Sequence, residues 1–400
     1  MRILQINKFL YPRGGADKHF LDVVELLQER GHRVAVFSMK HQKNFESRWQ
    51  KYFLSYVGYN REDSNFWEKI KGVGRMFYSF EANKKINQLL DDFDPEIVHI
   101  HNIYHQLSPC ILFEIKKRNI PVVMTVHDYK LVNPNHSLFL NGKFYNRCRE
   151  GKFYQCFLDK CVKDSYLKSL LATLESYWHK WLGTYEKNID LYVAPSVFVR
   201  KILIERGINP GKIIVMAHFS ENNKISAGNK KPKARHALYF GRISKEKGVD
   251  MLIDIFNELK IPLYLVGAIE GNFEMRKSKF IKHLGFMEQA ELKKEIAAAD
   301  LVVSGSRLPE TFGLVALEAL SLGRPFVGFN SGAFSQIVEN EKEGFICKDR
   351  QEFTESVKRI WEDEELRQYM SKKAIEKAGK FTKNEYAVKL EGIFKSLRRR

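Results

Sequence analysis

Ser304-Gly-Ser-Arg-Leu-Pro-Glu310-Thr-Phe-Gly-Leu-Val-Ala-Leu-Glu318, continued by Ala-Leu-Ser-Leu-Gly323-Arg-Pro325-Phe-Val-Gly-Phe329, reads as strand, loop, helix, stop and strand. Leu301 to Ser304 is a short apolar run suited to a buried strand, and Ser304, Gly305, Ser306 and Pro309 break it. Thr311 is placed to cap a helix that stays apolar through Leu314, Val315, Leu317, Ala319, Leu320 and Leu322. Gly323 is a natural C′ residue, and Pro325 prevents continuation. In an α/β sheet such a unit puts the helix N-terminus at the carboxyl ends of the strands, where ligands bind. N–H groups from about Phe312 through Gly313 and Leu314 to Val315 would then point at that spot and favour an anion. Two carboxylates frame it, Glu310 in the loop and Glu318 two turns into the helix.

On spacing alone these acids are equally readable as a loop carboxylate and the wet stripe of a surface helix, since Glu318 and Ser321 stand at i and i+3. The filling between them is more specific. Glu-Thr-Phe-Gly-Leu-x3-Glu-Ala-x3-Gly-x-Pro resembles the E-x7-E motif of the family 4 retaining glycosyltransferases. In that family the helix amides hold the donor diphosphate, the first glutamate meets the sugar and the second meets the ribose.

The chain of 400 residues is long enough for two or three domains. With 44% hydrophobic and 13% aromatic residues it is neither fibrous nor disordered. No apolar run approaches the ~18 residues of a membrane span, and the opening Met-Arg-Ile-Leu-Gln-Ile reads as a strand rather than a secretory signal. Five cysteines suit a reducing cytoplasm better than a disulfide scaffold. The net charge of +18 is spread over both halves, whereas nucleic-acid binders usually gather basic residues in one patch. A diffusely basic chain suits anionic small substrates and an anionic membrane surface.

Arg2–Asn7 reads as a strand, residues 8–16 as a loop, Asp17–Glu29 as a helix ended by Gly31, and Arg33–Met39 as a strand. Gly14 and Gly15 at the strand-to-helix turn let a phosphate approach the backbone, although such a pair alone is often only a tight turn. Residues 41–90 read as irregular, with aromatics from Phe45, Trp49, Tyr52 and Phe53 to Tyr59, Phe66, Trp67 and Phe80 laced with Lys and Arg. They are core anchors of an insertion or a membrane-facing surface. Asp92-Phe-Asp94 looks like a metal-binding D-x-D but sits in the polar turn expected before strand Ile97–Ile100. His101-Asn102 ends that strand and His127-Asp128-Tyr129 ends the next, which puts both histidines at the functional edge of a parallel sheet. Cys148, Cys156 and Cys161 offer three of the four ligands of a zinc site, with His136 as a distant fourth. A basic, aromatic helix over about Ser165–Tyr185 carries Trp178 and Trp181.

Residues 220–235 are polar, contain Gly and Pro and lack periodicity, as an interdomain linker does. Beyond them Ala237–Phe240 opens a second α/β domain, followed by Gly241-Arg242-Ile-Ser-Lys-Glu-Lys247-Gly248, a planar donor and a point charge suited to a pyrophosphate. The organisation expected is 1–219, linker 220–235, 236–383, and a last helix over 384–400 returning to the first domain.

The same family is matched at Gly14-Gly15-Ala16-Asp17, at the Gly-Arg-x4-Lys-Gly run, and at Pro121-Val-Val-x-Thr-x-His127-Asp-Tyr-Lys130, which is similar to a polysaccharide-assembly subgroup. The resemblance implies two Rossmann-like domains facing a cleft, the GT-B fold. It implies donor binding by Gly14, Gly15, Arg242, Lys247, Thr311, Phe312, Gly313, Leu314, Val315 and Glu318, catalysis by Glu310 with His127, and an acceptor side at His101, Asn102, Asp128 and Tyr129. It departs at His218, where asparagine is frequent, and around Ala333–Gln336, where glutamate is usual. The expected reaction is retaining transfer from a nucleoside diphosphate sugar to a glycan or lipid-linked acceptor, by attack from the leaving-group side. No cofactor, divalent metal or nucleic acid is expected, and the expected location is cytoplasmic, peripheral at the inner membrane face. Two rivals remain: a sugar-nucleotide epimerase on the same fold, and a non-enzymatic membrane-associated scaffold of a polysaccharide machine.

Overall fold

The computed structural model describes residues 1–58, 66–220, 235–271 and 273–398. The linker expected over 220–235 lies outside these residues apart from its two ends, as do Tyr59, the basic cluster at Lys230, Lys231 and Lys233, and Arg399 and Arg400; nor are the side chains of Phe66 and Trp67 described. By contacts the chain divides into two units. The first is Met1–Leu140, Tyr145–Met216 and Ala387–Arg400; the second is Asn141–Phe144 and Ala217–Tyr386.

The first unit is built on six parallel strands in the order Arg33–Phe37, Arg2–Ile6, Ile97–Ile100, Val122–Thr125, Leu191–Ala194, Ile213–Val215. The inner strands are buried along their whole length, as expected when helices cover both faces. Strand order reverses beside Arg2–Ile6, so a ligand crevice is expected at the carboxyl ends of that strand and of Ile97–Ile100. Those two ends are tied together by Lys8 N–H donating to the Asn102 carbonyl at 2.9 Å and Asn102 N–H donating to Asn7 Oδ1 at 3.2 Å.

Of residues 41–90, the described stretch 41–58 is irregular as expected apart from one short turn, but from Phe66 onward the chain is helical. The turn is a 3-10 turn, Gln50–Tyr52, and the two helices are Phe66–Phe77 and Phe80–Phe93. Ala82, Ile86, Leu89, Leu90 and Phe93 recur at helical spacing and are buried, and Ser79 caps their helix by accepting from Ala82 N–H at 3.2 Å. Trp49, Tyr52 and Phe53 are core residues, whereas Phe45, Tyr78 and Phe80 are exposed. Asp92 accepts from the Tyr52 hydroxyl at 2.6 Å and Asp94 from Arg2 at 2.9 Å. Both precede strand Ile97–Ile100, at the opposite end of the sheet from His101 and His127.

Few cysteines do not mean none are bonded: Cys156 and Cys161 form a disulfide, while Cys148 is buried 3.7 Å from the Tyr145 hydroxyl. Among the described residues no group of three or more His, Cys, Asp or Glu side chains is arranged to hold a metal ion. The last helix, Lys383–Arg398, packs on the first unit from Ala387 onward. There Glu391 accepts two bonds from the Arg30 guanidinium at 2.9 and 3.1 Å.

The second unit is also a six-stranded parallel sheet, in the order Ile281–Gly285, Leu263–Val266, Ala237–Phe240, Leu301–Ser304, Phe326–Phe329, Gly344–Cys347. Its strand order reverses between Ala237–Phe240 and Leu301–Ser304, where Leu301 pairs with Ala237 and Val302 with Leu238. The two loops leaving this switch point are Gly241–Gly248 and Gly305–Gly313, which carry the two motifs singled out above. Among the described residues no helix is long and apolar enough to cross a membrane.

Candidate active site

In the second unit the two switch-point loops touch. A Cβ on Gly248, whose φ is +66°, would lie 2.2 Å from the Gly305 carbonyl oxygen, so only glycine allows the approach. That approach brings Lys247 Nζ to 2.5 Å from Glu310 Oε1, and the Ser306 hydroxyl donates to the same oxygen at 2.9 Å. Burial pushes the Glu310 carboxyl up, but the Lys247 ammonium, helped by Ser306 and Arg242, outweighs it and holds the group below its ordinary range. Glu310 is therefore a held carboxylate, pre-aimed before any ligand arrives. Arg242 extends from the turn after Phe240 and pairs with Glu270 at 2.8 Å, with about half of each side chain exposed.

The helix that follows begins later than the sequence suggests. It spans Leu314–Ser321 with Gly313 as N-cap at φ +96°, so Thr311 is a loop residue and not the cap. The reason is tertiary: a Cβ on Gly313 would meet the Phe334 ring at 2.6 Å, so the chain turns left-handed there to pass it. Leu314 and Val315 supply the first-turn N–H groups, which point out of the N-terminus as an anion requires. Phe312 is buried against the His218 ring, with centroids 4.9 Å apart, and so shapes the loop from behind. Glu318 lies half-buried about one turn up the helix. The helix ends as its sequence implies: Gly323 (φ +67°) donates to the Leu320 carbonyl at 2.9 Å and Arg324 to that of Ala319 at 2.9 Å, both bonds of a Schellman stop.

Two residues essential to this geometry were not singled out by the sequence. Ser306 stands four before Glu310, where it reads as an ordinary loop breaker. Gly332 bridges to Glu310, and the neighbouring Ala333 N–H donates to the Glu310 carbonyl at 2.9 Å. The Ala333–Gln336 segment thus backs Glu310 through its main chain.

In the first unit Gly14 is the N-cap of helix Gly15–Glu29. Asp17, in its first turn, is buried and accepts from Asn7 Nδ2 at 2.8 Å. Burial pushes the Asp17 carboxyl up, only partly countered by that bond, so its place in the Gly-Gly-x-Asp run is to brace the loop. His127 and Asp128 are half-buried at the carboxyl end of strand Val122–Thr125. Asp128 accepts from the Tyr104 hydroxyl at 3.0 Å and from Lys130 N–H at 2.9 Å. The other expected acceptor-side groups sit deeper than a surface role needs. Tyr129 is a core residue and His101 is wholly buried behind His127, its Nδ1 2.8 Å from His127 Nε2. Asn102 is buried too. Burial, against a smaller opposing effect of Asp128, lowers the His127 imidazole to about 4, so the ring is neutral near pH 7.

Each unit thus presents a glycine turn and a helix N-terminus at its switch point, and the second adds a cation held against a carboxylate. Each such turn is suited to a phosphate, and in the second unit the carboxylate beside it is placed to orient a ligand's reacting part. The model described as Glycosyl transferases group 1 matches residues 220–377. A Klebsiella pneumoniae protein described as an uncharacterized 42.6 kDa protein in cps region is 25% identical, over 84% of this chain and 87% of its own. An uncharacterized glycosyltransferase of Methanocaldococcus jannaschii is 24% identical, over 92% and 91%. The Anabaena HepE structure in complex with UDP and glucose has the same fold, with a TM-score of 0.67, 18% identity, and coverage of 99% of this chain and 100% of that one. The Glycosyltransferase Family 4 model matches residues 13–219, more than half of the 400, and the chain is accordingly a glycosyltransferase of family 4, with two Rossmann-like domains of the GT-B type.

Proposed function

We propose that this glycosyltransferase moves a hexosyl group, with retention, from a nucleoside diphosphate sugar to a glycan or lipid-linked glycan in cell-surface polysaccharide assembly. The observation that carries the reading is the Lys247–Glu310–Ser306 contact at the second switch point, beside Arg242 and the Leu314 helix N-terminus. Lys247, Arg242 and the helix amides, with Gly14 and Gly15, neutralise the departing diphosphate, where most charge develops. Glu310 orients the sugar, His127 meets it too, and Glu318 meets the ribose. An epimerase or a scaffold accounts less well for a cation, a hydroxyl and a carboxylate held together at a strand end. The cps-region relative supports the polysaccharide role, and HepE, crystallised with UDP-glucose, makes uridine diphosphate sugars the first donors to try.

A thermal-shift screen of nucleoside diphosphate sugars should give a clear rise with one nucleotide class and a smaller one with its diphosphate alone. No rise with any would remove the donor assignment. The anomeric configuration of the product, read by NMR, should match that of the donor; inversion would exclude retention. Because side chains and helix amides meet the phosphate charge, transfer should survive exhaustive chelation. Loss on chelation with recovery on adding Mg²⁺ or Mn²⁺ would reverse that expectation.

A second feature favours an acceptor at an anionic membrane surface. Helix Tyr166–Leu182 buries Ser169, Ala172, Thr173, Glu175 and His179, yet exposes Leu167 (68%), Leu170, Leu174, Trp178 and Trp181 (76%) along the opposite stripe. Phe77 packs edge-on to Trp178 at 6.2 Å, bringing the exposed Tyr78 and Phe80 (83%) alongside. Lys160, Lys163, Lys168 and Lys180 lie on or next to this helix. Such a stripe gains apolar burial at an interface, plus about 1 kcal/mol per basic residue near anionic lipid, the latter screened by salt. The protein should sediment with anionic vesicles at low salt and partly release at high salt, and Trp178→Ser with Trp181→Ser should weaken binding at both. Equal sedimentation with neutral and anionic vesicles would rule this surface out.

A further inference from the structure

Behind His127 a file of polar side chains crosses the first sheet. Gln5, His99, His101 and Thr125 are all wholly buried in what is otherwise an apolar layer. Polar groups so placed are costly unless each is bonded, and here each is. His127 Nε2 lies 2.8 Å from His101 Nδ1, and His101 Nε2 lies 3.2 Å from Gln5 Oε1. Gln5 Nε2 lies 3.1 Å from His99 Nδ1, and His99 Nε2 lies 2.8 Å from Thr125 Oγ1. The sheet sets this file, because Gln5 and His99 are register partners on neighbouring strands. Phe394 of the last helix packs edge-on to His99 at 5.7 Å.

A neutral imidazole has one donor nitrogen and one acceptor nitrogen, so a bond at either dictates the other. Burial lowers His99 to about 3 and His127 to about 4, which keeps both rings neutral. Gln5 is the element of the file that has fixed polarity: its amide oxygen only accepts and its nitrogen only donates. With Oε1 toward His101, the proton on that ring is on Nε2 and its Nδ1 must accept. His127 therefore carries its proton on Nε2, donated to His101. On the other side the Gln5 amide donates to His99 Nδ1, and His99 Nε2–H donates to Thr125.

We propose that Gln5 is a positioning residue that, through His101, locks His127 in the Nε2–H tautomer and so makes its Nδ1 an obligate hydrogen-bond acceptor. The proposal rests on the reading of His127 as the residue that meets the transferred sugar, and it specifies that contact: His127 takes a hydrogen bond from a sugar hydroxyl and does not give one. A donor sugar that lacks that hydroxyl, or replaces it with an acceptor-only group, loses the contact.

The test is ¹⁵N NMR of the full chain labelled at histidine, with His127→Gln identifying the His127 signals by their loss. Wild type should show His127 protonated at Nε2 and bare at Nδ1, without any substrate present. Gln5→Leu removes the acceptor for His101 and should give a mixture of both neutral forms at His127, with kcat down roughly tenfold, about one hydrogen bond, and little change in the KM for donor. Protonation of His127 at Nδ1 in wild type, or an unaltered tautomer in a folded Gln5→Leu protein, overturns the proposal. Should Gln5→Leu not fold, the wild-type spectrum decides on its own. If His127→Gln transfers sugar at the wild-type rate, the role of His127 fails while the tautomer assignment is still read directly.

Discussion

Replacing Lys247 by alanine is expected to lower turnover by roughly 10²–10⁴-fold, the effect of deleting a charged donor aimed at developing negative charge. Two losses coincide. The ammonium no longer meets the departing diphosphate, and Glu310 loses the partner 2.5 Å away that offsets its burial. In the wild type Lys247 holds the Glu310 carboxyl below its ordinary range, so it is ionised above that range and protonates only as pH falls well under it. Without Lys247 the burial effect, which acts upward, is left opposed only by Ser306 and Arg242. Glu310 then titrates higher, and the residual activity of Lys247→Ala should rise with pH over a range where wild-type activity is flat. Arg242→Ala should fall toward the lower end of the same window, because its guanidinium is half exposed and already shared with Glu270. Steady-state kinetics from pH 5 to 9 on proteins verified by thermal unfolding checks both; near wild-type turnover in the two variants would remove the clamp from the mechanism.

The parts of the fold set by local chemistry were readable in the chain. Strand Leu301–Ser304 and the Gly323 stop depend on a few consecutive residues, and both stand where their types predict. So does the Gly-Arg-x4-Lys turn, because only a left-handed Gly248 lets Lys247 approach the neighbouring loop. What escaped depends on distant partners. Thr311 is chemically a good cap, yet the Phe334 ring moves the helix start to Gly313, and nothing near Thr311 announces Phe334. Gln5 and His99 are 94 residues apart and become neighbours only through the register of two parallel strands. His101 and Tyr129 follow strands with surface-like polar residues, but their rings turn inward, a choice of side-chain direction that no spacing rule specifies. Helix Phe80–Phe93 is a different case: its apolar spacing is helical, and the dense aromatic and basic residues around it disguised the period.

The other large effect is expected from a single methyl group at Gly332. This residue has φ +73°, and a Cβ built on it would stand 2.3 Å from the Glu310 carbonyl oxygen, 2.4 Å from the Glu310 nitrogen and 2.7 Å from the Pro309 carbonyl carbon. All three are main-chain atoms, so no rotamer change relieves the contact and the Glu310 loop itself has to move. Ala333 N–H, bonded to the Glu310 carbonyl at 2.9 Å, moves with it. Lys247 Nζ and the Ser306 hydroxyl both hold one oxygen of Glu310, so a shift of about 1 Å disrupts both bonds, and misplacement of that size costs on the order of 10²-fold in rate. Gly31→Ala is the control. Its φ is +77° and a Cβ there meets nothing within 4 Å, so both variants carry the left-handed penalty of roughly 1–2 kcal/mol and only one carries the collision. Gly332→Ala should therefore unfold at a lower temperature than Gly31→Ala and turn over about 10²-fold more slowly, whereas Gly31→Ala keeps the wild-type rate. If the two variants behave alike in melting and in turnover, the Gly332 contact does not hold Glu310 in place.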